Sequence, residues 1–352
     1  MKMICCKKIL QNAAGLSLGA AAALAVLFSQ ESKDGAAHGL TLCLKVLVPS
    51  LFPLMTLTQL SVNTGLCARL GHRLRAPTRR LFGISGSFAP IFLLSMIGGY
   101  PTGAAGIREL YSHGELSERE ARKAALFAVG AGPGFLLNYV GGGLYGSPQL
   151  GAILFAAQII SALLLGIAAN RIYPTAEYIS KKESKTASMP FSQAMTTSVY
   201  SASRATVVIV GFVTLFSALL GILETLLKNE TAHTVITSAL EVCAAAEILR
   251  DNSAVEFVAF AAGFGGLCVH CQIFAALGEV RVRKELFFVF RIMQGLLCAF
   301  FTHLLLRIFP MPSPVFSTHA AAAGELYGGS ILSGIMLISV AIGFLSALKK
   351  QS

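Results

Sequence analysis

Apolar residues along this chain gather in runs long enough to cross a bilayer as helices, separated by short stretches rich in Lys and Arg. The first run, Ile9 to Phe28, follows Lys2, Lys7 and Lys8. No Ala-x-Ala site directly follows its apolar core, so it reads as an uncleaved span. A second run from Ala36 to Asn63 has Lys45 as its only charge and is kinked by Pro49 and Pro53. Between Arg69 and Arg80 stand five arginines, which predict an interfacial amphipathic helix on the cytoplasmic face.

Two windows then depart from the plain spanning pattern. From Leu81 to Ile107 no residue is charged, yet Gly98, Gly99, Pro101 and Gly103 stand at its centre, where a continuous helix would not hold. Basic residues flank this window on both sides, so it reads as a re-entrant hairpin. From Ala124 to Asn170 charge is again absent, and Gly130-Ala-Gly-Pro-Gly134 interrupts an outward helix that starts at Ser117. A return helix runs from Pro148 to Arg171, and a basic loop from Tyr173 to Pro190 falls inside.

The second half repeats the plan. Phe191 to Ser203 reads as an interfacial segment and Arg204 to Leu227 as a span. Ala232 to Asp251, with Glu241 and Glu247, reads as a second hairpin. Glu256 to Gly278 returns through Gly263-Phe-Gly-Gly266, Leu286 to Arg307 crosses outward, and Ser330 to Leu348 returns to Lys349 and Lys350. Residues 40–171 and 204–309 are thus expected to be related by inverted topology, with both termini cytoplasmic. Around them lie an N-terminal helix (1–35), a loop and interfacial segment (172–203), and an outer loop with a final helix (310–352); the first repeat is bounded at 36–171.

Composition agrees. Hydrophobic residues make up 55% and charged residues 13%, which fits an all-α polytopic membrane protein. The net charge of +11 sits in short loops, where it marks the cytoplasmic side, so nucleic acid is not an expected partner. The eight cysteines lie mostly in apolar runs and imply no disulfide framework.

Backbone freed by a helix break cannot face lipid; it must be buried or line a polar cavity. Gly99, Tyr100, Pro101, Thr102 and Gly103, with Gly132 and Pro133, therefore form a candidate solute site, where half-helix N-termini offer N–H groups to an anionic or carbonyl-bearing solute. Close helix packing by small residues is the plain alternative. Glu241 and Glu247 are the candidate carboxylates, since such groups at membrane depth mark ion or proton paths. Gly265, Gly266, His270 and Gln272 follow the last break, and Asn138 follows the Gly-Pro break. Cys268-Val-His-Cys271 has a C-x-x-C spacing but no second pair, so no metal site is expected. No phosphate-binding loop or nucleophile elbow is present, and neither an enzyme nor a bound cofactor is expected, coupling to H⁺ or Na⁺ aside.

The strings Gly99-Tyr-Pro-Thr-Gly-Ala104, Ala131-Gly-Pro-Gly-Phe135, Leu240-Glu241 and Gly263-Phe-Gly-Gly-Leu-Cys-Val-His-Cys-Gln272 resemble the sporulation integral membrane protein family of the YlbJ type, grouped with nucleoside-recognition or Gate domain proteins. The resemblance covers residues 40–310 in order. It implies a cell-membrane protein of an endospore former, used in making the spore and its cortex, with a distant likeness to concentrative nucleoside transporters. The chain departs from the family pattern at Gly98, Val129, Gly130, Ala131, Cys243, Ala245 and Cys268, where polar or smaller residues are usual. Two functions follow: a carrier of a small polar metabolite, or a scaffold that recruits other sporulation membrane proteins in the bilayer.

Overall fold

The computed structural model describes residue 19 and residues 22–174 and 189–310, and these are helical with no strand. Most of the expected first span, most of the loop from Tyr173 to Pro190 and the last span lie outside the described residues. Helix α1, Ser29–Asn63, starts earlier than the expected Ala36 and widens into a π-helical turn at Cys43–Leu47 just before Pro49. The early start is held by packing: a Cβ at Gly39 would stand 2.4 Å from Ser217 Oγ, and one at Gly35 2.3 Å from Ser217 O. Small residues allow such approach where lipid offers no hydrophobic drive between helices.

Two short helices follow, α2 at Leu66–Arg73 and α3 at Arg75–Phe82, and Arg69, Arg73, Arg75, Arg79 and Arg80 are exposed on them. Next come α4, Phe88–Gly98, and α5, Tyr100–Ser112, packed as a pair about Gly99. Gly99 has φ +80°, a backbone state that side chains with a Cβ rarely adopt. Helix α6, Glu118–Phe127, begins at a capping box in which Ser117 N–H donates to Glu120 at 2.9 Å and Glu120 N–H to Ser117 Oγ at 3.3 Å. After an unwound stretch the chain re-forms as a π-type helix, Gly134–Leu144, and returns through α7, Pro148–Ile172.

In the second half α8, Phe191–Leu226, is one continuous helix through the expected interfacial segment and span. Neither Gly nor Pro occurs between Phe191 and Val210, and Ala194, Ser198 and Ala202 keep one buried face at four-residue spacing. Then come α9 at Glu230–Leu240, α10 at Val242–Asn252, α11 at Val255–Phe264, α12 at Gly266–Leu277 and α13 at Lys284–Ile308. Thus the order of the first half recurs: long helix, short pair, interrupted helix, long helix.

Among the described residues five stretches are long and apolar enough to cross a membrane: α1, α7, α8, α11 with α12, and α13. Large apolar side chains stay exposed along them, such as Val207, Leu215 and Phe300, as lipid contact requires. This is a multi-pass membrane protein.

The core lies where the two hairpins and the two interrupted helices meet. Phe82, Phe88, Phe92 and Phe127 cluster with ring centroids 5.2 to 6.1 Å apart. Lys123, buried on α6, donates to the Phe82 and Gly83 carbonyls at 3.0 and 3.2 Å and to Asn170 Oδ1 at 3.2 Å, so the end of α3 is tied to α6 and α7.

Candidate functional site

Each interrupted helix leaves carbonyls without helical partners at its C-terminal end and N–H groups at its N-terminal end. The structure brings these ends together. A Cβ at Gly132 would stand 2.9 Å from both Gly99 N and Ile97 O, so the first hairpin tip and the unwound stretch 128–133 touch backbone to backbone. Gly103 packs on the same stretch, its Cβ position 2.1 Å from Ala128 O. Only glycine permits this contact.

Tyr100 crosses between the halves: its hydroxyl donates to the Ala262 carbonyl in the last turn of α11. Its ring also lies against Gly265, where a Cβ would be 3.5 Å from Tyr100 Cε1. Gly265 has φ +94°, which ends α11 and starts α12 in one residue. Gly266 in turn meets the second hairpin tip, with Leu240 O 3.1 Å and Glu241 N 3.2 Å from its Cβ position. The four interruptions therefore form one contiguous chain: 98–99 to 128–133, 99–100 to 262–265, and 266 to 240–241.

Glu241 sits at the turn itself, with extended backbone, rather than on a helix face. Its buried carboxylate accepts from Ala244 N–H at 2.7 Å and caps the N-terminus of α10. No Lys, Arg or His is paired with it among the described residues. Glu247, one face further along α10, accepts from the Tyr139 hydroxyl and so ties the second hairpin to the π-type helix.

The remaining predicted residues divide. Pro101 and Thr102 are buried at the start of α5, but the Thr102 hydroxyl is turned back to Gly98 O at 2.8 Å. Pro133 caps the π-type helix and is half-buried. His270 stands in an aromatic cage, 4.8 Å from Phe264 and 4.9 Å from Phe288 between ring centroids, with Nε2 2.8 Å from Phe264 O. Gln272 Nε2 donates to Cys268 Sγ at 3.3 Å. Neither is in contact with Glu241 through these bonds. Asn138, on the π-type helix, is exposed and does not share the buried face.

Of the N-termini at the interruptions, those beginning at Tyr100, Gly134 and Gly266 have no side-chain cap, and only Glu241 caps its helix. The C-terminal carbonyls are better covered. Arg291 of α13, fully buried, donates to Leu126 O at 3.2 Å and to Val129 O, closing the end of α6. Near it Gln294 Nε2 donates to Gln158 O at 3.3 Å, and Cys298 Sγ to Gln158 Oε1 at 3.0 Å. Reading α13 only for its apolar length misses these residues. The signal was there: one Arg and one Gln three residues apart in the apolar first half of the span.

No family model matches the chain, and no solved structure matches it. It is 23% identical over 318 residues to the sporulation integral membrane protein YlbJ of Bacillus subtilis (strain 168), with 78% of each chain covered. This similarity agrees with the resemblance carried by the motifs named above: the chain is similar to a sporulation integral membrane protein of the YlbJ type.

Proposed function

We propose that the protein is a secondary-transporter-like carrier that moves a small polar metabolite across the cell membrane during sporulation. One observation carries this reading: all four helix interruptions meet, and three of their N-termini present N–H groups without a side-chain cap. Peptide groups at membrane depth need polar partners, and a solute can supply them. The repeated element order supports an inverted repeat of the Gate type, in which the two halves rock about these tips, with a distant likeness to concentrative nucleoside transporters. Glu241, buried and without a basic partner, is the residue placed to take up a proton or Na⁺ with the solute.

A scaffold that recruits other sporulation membrane proteins is the second reading. It is favoured by the closure of the C-terminal ends by Tyr100, His270 and Arg291, whose donors take up carbonyls that the breaks expose. Uptake into proteoliposomes separates the two. A carrier shows saturable uptake that falls at least about tenfold in Glu241→Gln and in Gly99→Leu, the latter forcing a side chain onto a left-handed backbone. Background uptake of every solute tested, with partners still bound by both variants, establishes the scaffold instead.

A further inference from the structure

Arg291 is a positive charge fully buried among the helices, and what it touches does not balance it. Its Nη atoms meet the Leu126 and Val129 carbonyls and its Cζ lies 5.8 Å from the Phe287 ring centroid. The end of a helix carries about half a negative charge, so roughly half of the guanidinium charge remains uncompensated there. Among the described residues no carboxylate pairs with it, and the ionisable side chains that act on it are the phenol of Tyr100 and the thiol of Cys298. A buried charge left this way is costly, and a partner is expected.

Two donors nearby are also unmet. Arg291 Nε has no hydrogen-bond partner, nor has Gln158 Nε2, although both are shut off from solvent. They arrive from different helices, α13 and α7, and end on the same peptide: Arg291 donates to Val129 O, while Gln158 Nε2 is 2.1 Å from where a Cβ of Gly130 would stand. The absence of a side chain at Gly130 is what admits Gln158 there. Charge, donors and a non-helical backbone thus coincide at the unwound stretch of the first interrupted helix.

We propose that Arg291 and Gln158 form a binding site for a small oxyanion, a carboxylate or phosphate group, at residues 129–130. The anion takes the two open N–H donors and supplies the missing negative charge. This rests on the carrier reading only in making the oxyanion part of the solute; binding itself stands apart from transport.

The test uses the full chain in neutral detergent, followed by thermal unfolding at fixed ionic strength as chloride is replaced by inorganic phosphate or by acetate. At least one of the two raises the midpoint by several degrees in a saturable way. Gln158→Leu weakens the apparent affinity about fivefold or more, and Arg291→Lys, which keeps the charge but loses the planar fork, abolishes the shift. If Arg291→Lys does not fold, Gln158→Leu alone decides. No shift with either soluble anion, a shift with phosphatidylglycerol only, or equal shifts in wild type and Gln158→Leu overturns the site. Saturable uptake of a neutral solute that ignores saturating anion overturns the oxyanion as part of the solute and leaves the carrier standing. Anion binding with background uptake does the reverse.

Discussion

The two interrupted helices share an element order but solve the same electrostatic problem by different means. The first interruption, at 128–133, is closed by glycine backbone against Gly99 and Gly103 and borrows its one charge, Arg291, from a helix of the other half. The second, at Gly265, carries a hairpin partner with its own carboxylate, Glu241, which caps α10. One half thus relies on close approach and the other on charge. A cation at carbonyl ends and a carboxylate at an N–H end are the signs that the helix dipole favours, so the two devices are complementary.

That comparison is most exposed at Gly132. Gly132→Val places methyl groups where Gly99 N and Ile97 O stand 2.9 Å from the Cβ, and is expected to destabilise by about 3 kcal/mol. A melting midpoint within a degree or two of wild type would show that the first interruption does not depend on backbone contact.

Tyr100→Phe probes the tie between the halves. Ala262 O loses its donor in a buried place, and the loss is expected to be about 1–2 kcal/mol. A double-mutant cycle with Glu241→Ala then asks whether the two interruptions act as one; coupling above about 0.5 kcal/mol says that they do.

Glu241→Ala alone removes the cap of α10 and is expected to cost about 1 kcal/mol in denaturant unfolding, whereas Glu241→Gln keeps an acceptor for Ala244 N–H and costs less. Equal losses would locate the effect in the charge instead of the hydrogen bond.

The smallest effect lies outside the membrane, in the turn after α5. His113 faces Glu109 with Nε2 3.5 Å from Oε1, and this contact holds the imidazole above its ordinary value. A group raised on folding stabilises below its unfolded pKa, about 6.5, and that share is lost as the pH rises through the folded value. His113→Gln should therefore flatten the pH dependence of the melting midpoint across that range, by less than about 1 kcal/mol. A slope unchanged in the variant assigns the dependence elsewhere.

The interruptions were legible because glycine and proline inside charge-free windows have few other uses. Gly99, Gly132 and Gly265 stand at breaks for that reason. The exposure of Asn138 is not legible in the same way, because sequence does not show that its helix widens to a π form. Phe191 to Leu226 was divided on polarity, although its packing face runs on unbroken. Arg291 escaped because averaging over a span hides one charge among many apolar residues, and its partners, the Leu126 and Val129 carbonyls, are distant in sequence. Long-range polar contacts of this kind have no local signature.

Lys123 has a mechanical consequence. By gripping the last carbonyls of α3 and Asn170 together, it makes the arginine-bearing helices at the surface a lever fixed to the interrupted helix. A dye attached at His72→Cys would then register any rearrangement deep among the glycines that the carrier reading requires.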